Sequence, residues 1–213
     1  MSTIKQKRAE IRDKIHLAAM REFSRNGLEG TSTQAIAQAA GITKAQLHYY
    51  ITSKEELYQQ VLGDICAQWS EIFFLSAEVP DDPKTVISDY VRRKIRHSID
   101  HPEVARLFSR EIARGGPELG PHWGPLRESV DEAMSVIRGW VSSGKVPALD
   151  PLIFLMNLWA VTQHYAEYET QVRRLMEAPS ENRLDEERIV TEATALFLGR
   201  CGLLDGHSGG SAG

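Results

Sequence analysis

The sequence predicts an all-α protein of about nine helices, a small N-terminal head followed by a larger helical body. Three observations carry this reading. Apolar residues recur at three- and four-residue spacing through most of the chain, the period of one helix face. No segment alternates β-branched and aromatic residues with polar ones, and no Asn-Gly or Asp-Gly turn joins two such segments. Gly and Pro punctuate the chain between successive periodic stretches, as at Gly41, Pro80, Pro102, Gly115-Gly116-Pro117, Gly144, Pro151 and Pro179.

The first helix is expected from about Lys5 to Asn26, with Ile11, Ile15, Ala18, Ala19 and Phe23 on one face. Gly27 ends it, because glycine enters the left-handed C′ conformation without strain. Thr31-Ser32-Thr33-Gln34 reads as a capping box that opens a short helix over 33–40, stopped by Gly41. A third helix runs from about Thr43 to Tyr50. Ser53-Lys54-Glu55-Glu56 is a second capping box and opens a long fourth helix over 54–77, closed by Pro80 and Pro83. Five more helices are expected over 83–100, 102–114, 124–143, 151–178 and 184–203. They are separated by His101-Pro102, Gly115-Gly116-Pro117, Gly144, Asp150-Pro151 and Pro179. The head takes residues 1–53 and the body 54–205; the Gly/Ser-rich stretch 206–213 is expected to be a disordered tail.

Composition narrows the function classes. The chain has 213 residues, 42% hydrophobic and 25% charged, the balance of a globular protein. Its two cysteines, Cys66 and Cys201, are too few and too far apart for a cysteine zinc site or a disulfide scaffold. The longest apolar run, Leu152 to Val161, is broken by Asn157 and falls short of the roughly 18 residues of a membrane span. The basic start lacks the apolar core of a signal peptide. A cytoplasmic protein with no membrane partner is expected. The net charge of −4 conceals an asymmetry: residues 1–54 hold nine Lys and Arg against four acids, so the remainder is strongly acidic. A basic head on an acidic body points to a polyanion as the partner of the head.

Residues 33–50 read as two short helices joined by a tight turn at Gly41, with Ile36, Ala37, Ala40, Ile42 and Leu47 facing inward. This is the helix-turn-helix pattern, whose second helix enters the major groove. Its outer face carries Thr43, Lys44, Gln46, His48 and Tyr49: short polar groups, phosphate donors, and an amide able to read an adenine edge.

The wider string Gly30-Thr31-Ser32-Thr33, Ile36-Ala37, Ala40-Gly41-Ile42-Thr43-Lys44, Leu47-His48-Tyr49-Tyr50 and Ser53-Lys54-Glu55-Glu56-Leu57 resembles the DNA-binding domain of the TetR family of transcriptional regulators. The resemblance covers about residues 8–62. His48 stands where the family usually has Tyr, and Ile51, expected in the core, where it usually has Phe. The resemblance implies a homodimer on a palindromic double-stranded operator, with Thr33, Thr43, Lys44, Gln46, His48, Tyr49 and Lys54 at DNA-contacting positions. It also implies a body that binds a small effector, and a regulator, in most cases a repressor, rather than an enzyme. Lys54 and the adjacent helix amides suit a phosphate.

In the body, Leu152–Val161 is apolar nearly all round and needs cover on several sides; a partner subunit is the obvious second cover. The last helix, with Ile189, Val190, Ala193, Leu196, Phe197 and Leu203, can complete a four-helix interface. The strings Leu107-Phe108 with Glu111, Gly139-Trp140-Val141 with Ser143-Gly144-Lys145, and Trp159-Ala160 with Thr162-Gln163-His164-Tyr165-Ala166 resemble the pyrimidine-utilisation branch of the family. That branch responds to uracil or thymine. Trp159 and Gln163, four apart, share a helix face, and the Gln amide matches an imide edge. Trp69 can stack on the ring. Arg110 stands where that branch implies an apolar residue, and facing inward it would favour a carboxylated effector; an apolar effector is the other alternative.

Other motifs carry less. His97 and His101 are four apart but lack a third ligand nearby, so no metal is expected. Ser142-Ser143-Gly144-Lys145 has the Ser-x-x-Lys spacing of an acyl-transfer enzyme, yet Gly144 reads as a helix end. No phosphate-binding Gly loop or dinucleotide fingerprint is present, and no cofactor is expected.

Overall fold

The computed structural model describes residues 2–73 and 82–204. Its ten α-helices are α1 (Ser2–Gly30), α2 (Thr33–Ala39), α3 (Lys44–Tyr50), α4 (Lys54–Phe73), α5 (Pro83–Asp100), α6 (Pro102–Ala113), α7 (Trp123–Ser142), α8 (Pro151–Glu167), α9 (Glu169–Leu175) and α10 (Glu186–Arg200). A 3₁₀ turn, Pro117–His122, precedes α7, and the described residues contain no strand. The all-α expectation holds. The end of the long fourth helix beyond Phe73 and the tail 206–213 lie outside the described residues.

Three details differ from expectation. The single helix expected over 151–178 is two, because the backbone leaves the helical region at Tyr168 (φ −111°, ψ 29°). The cap of α2 is Ser32, whose hydroxyl accepts from the Ala35 amide. Thr31 instead is buried and donates to the carbonyl oxygens of Gly27 (2.7 Å) and Glu22 (3.1 Å). Gly27 does break α1, but at φ 72° and ψ 177°, outside the left-handed helical well and in a region that only glycine occupies at low cost.

The chain forms two compact units, Met1–Glu71 with His101–Leu126 and Ile72–Asp100 with Arg127–Gly213. In the first, the stripe Ile15, Ala18, Ala19 and Phe23 of α1 is buried with Ile36 and Leu47 of the helix-turn-helix and Leu57, Val61 and Leu62 of α4. Phe23 meets Tyr58 edge to face, centroids 4.9 Å apart, a contact worth about 1 kcal/mol beyond its buried area. Ala37, with no exposed surface, leaves the room that α2 and α3 need to cross. Helix α6 packs on α1. A buried carboxylate ties this unit together: Glu111 of α6 accepts from the Tyr58 hydroxyl of α4 (2.9 Å) and from the Glu118 amide of the 3₁₀ turn (2.8 Å). Arg114 stands 3.3 Å from the same group.

In the second unit α5 packs against both α8 and α10. Its core holds Val86, Tyr90, Val91 and Ile95 with Leu155, Leu158 and Phe197. Arg92 and Arg96 of α5 reach Glu187 (2.5 Å) and Glu186 (2.8 Å) at the start of α10, and Arg183 joins Asp100 to Glu186. Apart from Glu186, which is mostly covered, these side chains are partly or largely exposed, and the pairs fix register more than they stabilise. Ser142 and Ser143 both donate to the Gly139 carbonyl, and Gly144 turns the chain at φ 72°, so the Ser-x-x-Lys string is a helix terminus.

Candidate nucleic-acid interface and effector site

Helix α3 is capped by Thr43, whose hydroxyl accepts from the Gln46 amide (3.1 Å) while the Gln46 side chain accepts from the Thr43 N–H (2.9 Å). This reciprocal box was not recognised from the sequence, although Thr-x-x-Gln is its signature. It holds the Gln46 carboxamide by its oxygen and leaves the NH₂ end as the group able to donate to a base. Leu47 is fully buried, whereas Lys44, Gln46, His48 and Tyr49 are exposed. Tyr49 is 69% exposed, lies edge-on to Tyr50, and receives the Arg8 guanidinium on its hydroxyl. Thr33 opens α2 and is half-buried. Ile51 is half-buried rather than in the core.

Lys54 has a structural task. Its ammonium donates to the carbonyl oxygens of Leu28 (2.8 Å) and Thr31 (3.0 Å), closing the connection between α1 and α2. One N–H is left for another acceptor.

Trp69 is buried in the first unit, its ring tilted against Phe108 at 4.8 Å. Arg110 is exposed in the same unit and turns toward α1: it donates to the Arg25 carbonyl (3.4 Å), and a side chain at Gly27 would come within 3.1 Å of it. In the second unit Trp159 and Gln163 lie half-buried one turn apart on α8, as their spacing predicts. Tyr90 of α5 is buried, which pushes its phenol above the ordinary range. One turn on, Lys94 is only 3% exposed, and burial lowers its ammonium to about 7 against a weaker attraction from Glu167. Tyr90 and Lys94 were missed as candidates. The signal was available: a lysine at i+4 from Tyr90 and i+3 from Val91, on the apolar stripe of α5.

Leu152, Ile153 and Met156 of α8 and Leu196 of α10 are exposed apolar side chains. A cleft of about 490 Å³ runs among Ile153, Phe154, Asn157, Val161, Leu196 and Phe197. Among the described residues no group of three or more His, Cys, Asp or Glu side chains can hold a metal ion, and no helix is long and apolar enough to cross a membrane.

Residues 15–61 match the family model of bacterial regulatory proteins, tetR family, and residues 62–204 that of the YcdC-like protein, C-terminal region. The chain is 41% identical over 157 residues to the HTH-type transcriptional regulator RutR of Escherichia coli strain K12, covering 73% of each chain. It is 27% identical over 138 residues to the HTH-type transcriptional repressor NicS of Pseudomonas putida, covering 65% of each. Its fold is that of a tetR-family regulatory protein from Rhodococcus RHA1 (TM-score 0.71, 16% identity, 92% of this chain and 98% of that one). The crystal structure of AibR in complex with isovaleryl coenzyme A and operator DNA is similarly close (TM-score 0.65, 17% identity, 88% and 97%). With a helix-turn-helix that buries Leu47 and exposes the opposite face of α3, and with family models matching both parts of the sequence, this chain belongs to the TetR family of transcriptional regulators.

Proposed function

We propose that the chain is a homodimeric, effector-responsive repressor that reads a palindromic operator with α3. The observation that carries this is the exposed Lys44–Gln46–His48–Tyr49 face on a helix whose opposite side is buried and whose start is fixed by a capping box. Lys44 contacts phosphate, Gln46 a base edge through its NH₂ end, and Thr33, Thr43, His48 and Tyr49 flank them. Lys54 adds its one remaining N–H to a phosphate. AibR, of the same fold, has been solved with both an operator and an acyl-thioester, the two ligand classes this reading requires. Two reading helices spaced about 34 Å apart fit successive major grooves. Effector binding favours a conformation in which they no longer do, with α4, which carries Lys54 and Trp69, transmitting the change.

For the effector, Gln163 supplies the donor and acceptor that a pyrimidine imide edge needs, and Trp159, one turn away on α8, supplies an aromatic face. This supports uracil or thymine. A second reading, a carboxylated effector, is favoured by the buried Lys94 on α5 rather than by Arg110, which is engaged at the end of α1. Calorimetric titration with uracil, thymine and a carboxylated pyrimidine tests both. Binding of the neutral bases that Gln163→Ala removes is expected. Tighter binding of the acid, lost in Lys94→Met, would select the second reading. Millimolar or weaker binding of all three would reject the site.

A further inference from the structure

Resting on the reading of α3 as the DNA-contacting helix, the geometry points to a second DNA-contacting element: we infer that the first turns of α1 hold backbone phosphates through Arg8 and Arg12, beside the segment read by α3.

The argument begins with helical register. Positions 8, 12, 15, 19 and 23 fall on one stripe of α1. Within the head that stripe is the core: Ile15 is 2% exposed, and Ala19 and Phe23 have no exposed surface. Toward Ser2 the same stripe changes from apolar to cationic, and Arg8 and Arg12 are both exposed. The side of α1 that faces the helix-turn-helix therefore ends in two arginines, not in the mixed charges of a solvated face.

The second observation is where Arg8 goes. Its Nη2 donates to the Tyr49 hydroxyl (3.3 Å), and its guanidinium carbon stands 6.0 Å from the centre of the Tyr49 ring. Tyr49 is strongly exposed, whereas Tyr50 beside it is half-buried. A guanidinium held on an aromatic ring keeps most of its donors free in a fixed plane, the arrangement that suits bidentate contact with phosphate. Arg12 lines a cleft with Tyr50 and Ile51 at the end of α3, together with Asp13, His16 and Asp64. Arg8 lies outside that cleft and its acids, so it carries the larger share.

Phosphate contacts are recognised by counterion release, which a purely structural arginine does not produce. The experiment measures affinity against salt concentration for the full chain, Arg8→Ala, Arg8→Lys and Arg12→Ala. The probes are a mixed-sequence duplex and a duplex selected by the wild-type protein from a random pool, with circular dichroism as the control for folding. Arg8→Ala should weaken both duplexes by the same factor, roughly five- to tenfold near physiological salt, and lower the salt slope by about one. Arg8→Lys should keep the slope, and Arg12→Ala should show the same change, smaller in size. An unchanged slope in folded Arg8→Ala, or a loss confined to the selected duplex, would overturn the inference and leave Arg8 as a prop for Tyr49. Should Arg8→Ala not fold, a slope for Arg8→Gln equal to that of Arg8→Lys would overturn it equally. Failure of the wild-type chain to bind either duplex would instead remove the reading of α3 on which the inference stands.

Discussion

Lys94 shows what one side chain can cost. A lysine buried to 3% exposure keeps its proton only against desolvation, and its ammonium falls from the ordinary value to about 7. Between about pH 7 and pH 10 the unfolded chain therefore binds a proton that the folded chain has released, and stability attributable to this residue rises with pH. Tyr90, Tyr58 and Cys66 have raised values and pull the other way in alkali, so the informative quantity is a difference between two proteins. Lys94→Met should be more stable than wild type by roughly a few kcal/mol at pH 7, and the advantage should shrink steadily toward pH 10. Urea unfolding of both proteins across that range measures it. A constant difference would mean that Lys94 keeps its charge in the folded state. Gly27 offers a second test at this scale. Its backbone sits where a Cβ is strained, and Arg110 crowds the site, so Gly27→Ala should lose about 1–3 kcal/mol. An alanine that stabilised, as in an ordinary helix, would place the break elsewhere.

Among the elements, α4, α6 and the 3₁₀ turn are joined through one carboxylate. Glu111 has no exposed surface, and the Tyr58 hydroxyl is one of its few donors. Tyr58→Phe keeps the edge contact with Phe23 and removes only that donor. It should lower unfolding free energy by about 1–3 kcal/mol, the cost of a buried acceptor left short. A double-mutant cycle with Glu111→Gln isolates the pair, and additive losses would show that the two groups do not interact. This joint was not legible in the sequence, because Tyr58 and Glu111 are 53 residues apart and no local spacing relates them. The helices themselves were legible wherever periodicity and a cap coincide: Ser53 accepts from the Glu56 amide as the motif requires, and Asp150 caps α8 before Pro151. The break between α8 and α9 was not, since it falls at Tyr168 with neither Gly nor Pro to announce it. Of the candidate site, the spacing of Trp159 and Gln163 and the outward face of α3 followed from the helical period. The direction taken by Arg110 and the clamp made by Lys54 depend on carbonyl groups that only tertiary packing brings within reach.

For the whole molecule, the proposed dimer follows from what α8 and α10 leave uncovered. Ile153 and Leu196, 52% and 60% exposed, line a cleft with Phe154 and Phe197, and Leu152 and Met156 of α8 are exposed as well. Exposed apolar side chains gathered on two packed helices of a folded chain mark an interface. A two-fold contact would bring the same patch from both copies together, so one substitution acts twice. Ile153→Glu with Leu196→Glu introduces four carboxylates into that contact and leaves the interior of each subunit untouched. Sedimentation should give about twice 23.9 kDa for the wild-type chain and 23.9 kDa for the double variant. The melting temperature of the wild type should rise with concentration and that of the variant should not. Helix α3 is unaltered in the variant, so binding to a single half-site should persist at its weak, salt-sensitive level. The gain from joining two half-sites on one palindrome should vanish, because each head then binds independently. A double variant that stayed dimeric would move the interface to another face. A monomer that kept full affinity for the palindrome would mean that pairing of the heads on DNA does not depend on α8 and α10.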